Sequence, residues 1–168
     1  MKYRTTGPVG PTVFLGTLIA VMEEARKVVP KMRAGFCFGV FDRHSGDRIL
    51  SGIIGKVRDF KLSKYEKLVE EKAARLFIQS IDACSYESRN ADSEKYGGAV
   101  RGKDYVLSIS GLASEHQDEA IGMKTLILLE QLKERFAKDI AEQTGNRVFR
   151  QILGEAGGYD GGRTGGER

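Results

Sequence analysis

Only two cysteines occur in this 168-residue chain, Cys37 and Cys84, and they lie far apart in sequence. That spacing excludes a disulfide framework and a multi-cysteine zinc site, and leaves each thiol to act as a small buried hydrophobe. No apolar run approaches the ~20 residues needed to span a bilayer. The chain has no Gly-x-Gly-x-x-Gly fingerprint, no P-loop, no His-x3-His or Cys-x2-Cys pair, and no Gly-x-Ser-x-Gly elbow. Histidine is also scarce: His44 lies in a turn cluster and His116 opens a helical pattern. Without a nucleophile paired to an oriented base, no catalytic residue is assigned and an enzyme is disfavoured.

What is present is ordinary for a globular domain: 40% hydrophobic and 30% charged residues. A chain this long buries roughly two thirds of its surface on folding and needs no staple. The net charge of +4 does not by itself imply nucleic acid. The basic residues do gather between Lys56 and Lys67, where Lys56, Arg58, Lys61, Lys64 and Lys67 face only Asp59 and Glu66, with Phe60 and Tyr65 interleaved. Such a stretch can track phosphates and stack bases. The plainer reading is a solvated loop leading into a helix, so nucleic acid is not expected as a partner.

The N-terminus imitates a signal peptide, with Lys2 and Arg4 ahead of the apolar run from Val13 to Met22. Gly7-Pro8-Val9-Gly10-Pro11 interrupts the approach, and Glu23-Glu24-Ala25-Arg26-Lys27 stands where a cleavage site belongs. Phe14, Leu18, Val21/Met22, Ala25, Val28/Val29 and Met32 recur at helical spacing. A mature helix capped near Thr12 and ended by Pro30 is predicted, in a cytoplasmic protein without a membrane partner.

Further along, Ala34–Phe41 and Arg48–Gly55 flank the turn cluster Asp42–Asp47 and predict a hairpin. Helix two is expected over about Ser63–Ile81, with Tyr65, Leu68/Val69, Ala73, Leu76/Phe77 and Ile81 inward, and Lys64, Lys67, Glu70, Glu71 and Arg75 facing water. Asp82–Lys95 forms a long polar loop of the functional or mobile kind. A second hairpin spans Tyr96–Arg101 and Tyr105–Leu112, the latter a half-polar strand. Helix three starts at Ser114, with Gln117 as capping-box partner, and runs on to Thr144-Gly145. Its Leu126-Ile127-Leu128-Leu129 segment is apolar all round, which suggests a homo-oligomer whose interface includes Leu126, Leu128 and Leu129. A short helical turn follows at Arg147–Leu153.

The order α-β-β-α-β-β-α predicts an α+β layered domain over residues 12–153, an antiparallel sheet flanked by helices. Residues 1–11 form an arm. Residues 154–168 carry seven glycines and read as a flexible tail dispensable for folding.

Gly97-Gly98-Ala99, the turn Gly102-Lys103-Asp104, the strand Tyr105–Gly111 and the helix start Glu115-His116-Gln117-Asp118-Glu119-Ala120 together resemble the GlcG/heme-binding protein (HbpS) family. Lys72-Ala73 stands where that family has a Lys-Ala helix motif. The resemblance covers roughly residues 12–140. It implies a profilin-like fold, stable homo-oligomers and, for some members, binding of heme or another tetrapyrrole. The chain departs from the family pattern at Ala99-Val100, where the family has proline, and in Val106–Gly111, where bulkier residues replace two glycines.

The site expected from these residues is the corner formed by Gly97, Gly98, Ser110, Gly111, His116, Gln117 and Asp118. Glycines let a ligand approach the backbone, a helix N-terminus supplies free N–H donors, and a neutral His116 is a candidate metal ligand. The negative charge of Glu115, Asp118 and Glu119 instead favours a cation, or plain pairing with the helix dipole. The function predicted is thus a small-molecule binding module, heme or tetrapyrrole included. The alternative is an oligomeric structural or regulatory domain without a cofactor.

Overall fold

The computed structural model describes residues 9–155, so the expected tail lies almost wholly outside the described residues, as does most of the N-terminal arm. Within them the chain runs α1 (Pro11–Val28), β1 (Gly35–Asp42), β2 (Arg48–Gly55), α2 (Asp59–Ile78), β3 (Ala99–Arg101), β4 (Tyr105–Ser110), α3 (Glu115–Leu128), α4 (Glu134–Thr144) and α5 (Arg147–Leu153). The strands form one antiparallel sheet in the order β2-β1-β4-β3. The α+β class and the antiparallel sheet flanked by helices are as expected. Two helices follow α3: α4, which falls within the single long helix expected, and α5, which coincides with the predicted helical turn. No described helix is long and apolar enough to cross a membrane.

Strand periodicity explains the layering. Side chains of β1 alternate between faces: Phe36, Phe38 and Val40 join the main core, while Cys37 and Phe41 join the smaller core beneath α2. In β4, Tyr105, Leu107 and Ile109 enter the main core, and Val106 enters the core under α2. The expected half-polar character of this strand is corrected, because both faces are covered. Ser108 is fully buried and donates to the Val69 carbonyl at 2.7 Å, which removes the cost of burying its hydroxyl.

α1 begins at Pro11, one position before the predicted Thr12 cap. Proline is pre-shaped for the first helical position, and the Gly10 carbonyl accepts from Val13 and Phe14. α2 begins and ends earlier than predicted, so Ile81 lies beyond it and is 92% exposed.

α3 and α4 replace the single long helix expected. The break is a Schellman turn: Gln131 N–H donates to the Leu126 carbonyl at 2.8 Å, and Glu130 N–H donates to the Ile127 carbonyl at 3.0 Å. Glu130 takes the left-handed position (φ 58°) that glycine usually fills. The β3–β4 turn holds the break in place. Lys103 N–H donates to the Gln131 carbonyl at 2.7 Å, and Asp104 N–H donates to Gln131 Oε1 at 2.8 Å.

The break also relocates the apolar segment. Leu126 and Leu129 are buried in the protomer's own core, and of the three predicted interface leucines only Leu128 is exposed, at 39%. α3 is apolar all round because it is central, lying against β4, α1, α4 and α5.

Arg75, expected in water, is buried. Its guanidinium donates to the carbonyls of Ser85 (2.8 Å), Ser88 (3.0 Å) and Tyr96, and it pairs with Glu71 at 2.7 Å. One side chain thereby ties down the long 82–95 connection, which also pairs Cys84 with Val100 and Asn90 with Lys95. Arg75→Met is expected to cost roughly 3 kcal/mol, because it orphans buried carbonyls. Hydrogen exchange of amides 82–95 should accelerate more than exchange in β1; unchanged protection there would refute this anchoring role.

Candidate functional site

The predicted corner is assembled as a unit, but it is filled by the protein's own groups. Gly98 lies at φ 122° against the start of α3, and a Cβ there would come within 2.8 Å of Lys72 Nζ and 2.7 Å of the Ile109 carbonyl oxygen. Lys72 is 1% exposed; it donates to Ile109 O at 2.7 Å and pairs with Asp118 Oδ2 at 3.3 Å. Asp118 Oδ1 accepts from Leu112 N–H at 3.1 Å. Burial pushes the Asp118 carboxyl above its ordinary value, opposed by the Lys72 ammonium and the backbone donors.

Around this pair the remaining predicted residues have structural partners. Gly97 N–H donates to Glu115 Oε1 at 2.6 Å, and Glu115 Oε2 accepts from Arg89 at 2.6 Å. Ser114 accepts from Gln117 N–H, while Gln117 Oε1 accepts from Ala113 N–H, each at 3.2 Å, so the capping residues act much as expected. Ser110 is buried opposite Cys37 in the β1–β4 ladder. Gly111, at φ 131°, packs against Tyr65 and the Phe36 backbone. Gly97 and Gly98 therefore serve close approach within the chain, whereas Gly111 also borders an open cleft on its other side.

His116 stacks on Tyr86, with ring centroids 5.0 Å apart, and its Nε2 bonds the Thr144 carbonyl at 2.9 Å. A carbonyl only accepts, so Nε2 carries the proton and is not available to ligate iron. Among the described residues no group of three His, Cys, Asp or Glu side chains is placed to hold a metal. Both cysteines are buried and free, and burial pushes the Cys37 thiol up to about 11. Such thiols are inert at neutral pH.

Open space lies elsewhere. A cavity of about 950 Å³ sits between the β3–β4 turn, the end of α3 and α4. Ile127, Leu128, Leu132, Phe136 and Ile140 give it an apolar side; Arg43, Arg101, Lys103, Lys124 and Lys133 bring positive charge against Glu130, Glu134 and Asp139. Arg43 donates to the Gly102 carbonyl at 2.9 Å, and Arg101 donates to the carbonyls of Asp82 (3.0 Å) and Leu76. Neither guanidinium pairs with a carboxylate among the described residues. Burial and the adjacent Arg43 push the Arg101 pKa below its ordinary value, opposed by the Asp82 and Glu87 carboxylates. The sequence reading missed this cavity because the Schellman turn that creates it carries neither glycine nor proline. No family model matches the chain, and no curated protein or solved structure matches it either.

Proposed function

We propose that the protein is a small-molecule binding module of profilin-like architecture that works as a homo-oligomer. Its ligand is a flat, largely apolar anion of the tetrapyrrole class. One observation carries this reading: the cavity behind the β3–β4 turn combines an apolar side with two guanidiniums that form no ion pair among the described residues, and its lining holds five cations against three carboxylates. Its size falls in the range of roughly 300–1,000 Å³ that suits such ligands. The resemblance of the Gly97–Ala120 segment to the GlcG/HbpS family, some members of which bind a tetrapyrrole, supports the same class.

Heme iron does not fit the residues present. The cavity lining contains no His, Cys, Met or Tyr, and Nε2 of His116 is already engaged. The tetrapyrrole would be held by its ring faces on Phe136 and Leu128 and by its carboxylates on Arg43 and Arg101.

Titration with metal-free protoporphyrin IX should give a saturable change in porphyrin fluorescence. Phe136→Glu, at a half-exposed position, is expected to weaken binding by at least about tenfold, the equivalent of ~1.4 kcal/mol, while His116→Ala leaves it unchanged. Absence of saturable binding, or loss of binding on His116→Ala alone, would overturn the assignment.

A second reading, an oligomeric domain without a cofactor, rests on the exposed apolar side chains Leu128 and Phe136, which a second copy would cover equally well. Sedimentation giving a multiple of 18.5 kDa that Phe136→Glu dissociates, together with no porphyrin binding, would favour it.

A further inference from the structure

On the opposite edge of the molecule, the basic stretch singled out in the sequence closes over a second cavity, of about 560 Å³. Among the described residues its lining contains Arg33, Lys56, Arg58 and Lys61 and no carboxylate. Four positive charges with no acid among the described lining residues make the local potential of this cleft positive. None of the four makes an ion pair among the described residues. Asp59, the nearest acid in sequence, is exposed and does not line the cleft.

The walls place these charges with some rigidity. Arg33 comes from the connection between α1 and β1, and its Nη1 donates to the Tyr65 hydroxyl at 3.0 Å and the Gly111 carbonyl at 3.2 Å. Both acceptors are neutral, so the guanidinium is held in position with its charge uncompensated. Lys56, Arg58 and Lys61 come from the β2–α2 junction. That junction is locked to β1, since Lys56 N–H donates to the Ala34 carbonyl at 3.1 Å and Gly55 lies at φ 74° directly against that carbonyl. Gathering four like charges around a concave space raises the energy of the free protein, and an anion in that space relieves it.

We propose that this cleft is an anion site for a small molecule bearing two or more phosphoryl groups. One phosphoryl group would be gripped by the fixed Arg33 fork, and the others by the more mobile lysines. Arginine matches phosphate oxygens with two parallel N–H donors, and lysine adds adjustable point charges. The cavity is large enough for an oligophosphate or a phosphorylated metabolite, and its concave shape suits a compact ligand better than an extended polymer. This site is separate from the apolar cavity of the proposed function, so either assignment can fail alone.

The test uses inorganic tripolyphosphate with the full chain. Calorimetry should show saturable binding that weakens with added salt. Lys56→Gln combined with Lys61→Gln should weaken it by at least about tenfold. Lys124→Gln combined with Lys133→Gln, at the other cavity, should change it by less than about twofold. In amide NMR spectra of the unmodified protein, tripolyphosphate should shift Gly35, Lys56–Lys61 and Gly111. No saturable binding, equal losses in the two lysine pairs, or shifts centred elsewhere would overturn the proposal. So would a twenty-base oligonucleotide that binds through Lys56 and Lys61 more tightly than tripolyphosphate does, since that would make the cleft a nucleic-acid surface.

Discussion

Lys72→Met should destabilise the protein by about 3–5 kcal/mol, the usual consequence of removing one partner of a buried ion pair. For a chain of this length that corresponds to a fall of roughly 6–20 °C in melting temperature. The cause is electrostatic rather than steric, because methionine nearly matches the lysine stem. Lys72 satisfies both Asp118 and the Ile109 carbonyl, and without it the Asp118 carboxylate keeps only backbone donors in a site closed to water. A charge-neutral second change should therefore compensate. The amide introduced by Asp118→Asn retains an oxygen for Leu112 N–H, so Lys72→Met combined with Asp118→Asn should recover more than half of the loss.

The sign of the pH dependence follows from burial. Desolvation already holds the Asp118 carboxyl above its ordinary value of 3.8, and Lys72 opposes that rise. Removing Lys72 lifts the folded-state pKa further above the unfolded one. The native state then holds its proton more tightly, which favours folding below the unfolded value and is lost as pH rises through the folded value. The deficit of Lys72→Met should thus be smaller near pH 4.5 than near pH 8 when followed by urea unfolding. An equal deficit at both would show that the Asp118 charge is not responsible.

Lys72 also shows where sequence reading runs out. Both hairpins, the helical turn at Arg147–Leu153 and the α+β class follow from periodicity and turn chemistry, which are local properties. The assembly of Gly97, Gly98, Ser110, Gly111 and Asp118 at one corner was legible too, because the hairpin and the capped helix start adjoin in sequence. What fills that corner was not. Helical periodicity assigns charged residues to water, yet Lys72 and Arg75 lie inward, because partners from β4, α3 and the 82–95 connection neutralise or satisfy them. The partners of Lys72 are distant in sequence, and the carbonyls that hold Arg75 lie past the end of α2 in a segment without apolar periodicity, so the helical pattern contains neither set. The α3–α4 break was hidden for a related reason: Glu130 occupies a glycine-like conformation that the β3–β4 turn supports through Gln131. Both cavities lie beside these unread features, one behind the break and one where Arg33 crosses to Tyr65 and Gly111.

Glu119→Gln is expected to reverse its effect on stability between acid and alkaline pH. Glu119 is fully buried where α3 meets the α4–α5 junction, and its Oε1 accepts from Thr144 Oγ1 at 2.8 Å and Asn146 Nδ2 at 3.0 Å. Its other oxygen, Oε2, has no hydrogen-bond partner among the described residues. Burial is the main force pushing this carboxyl above its ordinary value of 4.5; Asn146, Thr144, the Cys84 thiol and His116 oppose it. Because the folded value exceeds the unfolded one, the native protein gains from proton binding below the unfolded pKa and loses that gain as pH rises through the folded pKa. Glutamine keeps the oxygen used by Thr144 and Asn146 and carries no charge at any pH. If it fails to reproduce those bonds, both donors retain second acceptors, the Ile140 and His116 carbonyls, so the cost at low pH stays small. As pH rises from about 4.5 through the raised folded-state value, the stability of Glu119→Gln relative to the unmodified protein should rise, by at most about 1.4 kcal/mol per pH unit. Urea midpoints measured across that interval provide the check: a difference that stays constant, or that falls with pH, would mean Glu119 is stabilised as a carboxylate by contacts stronger than its burial.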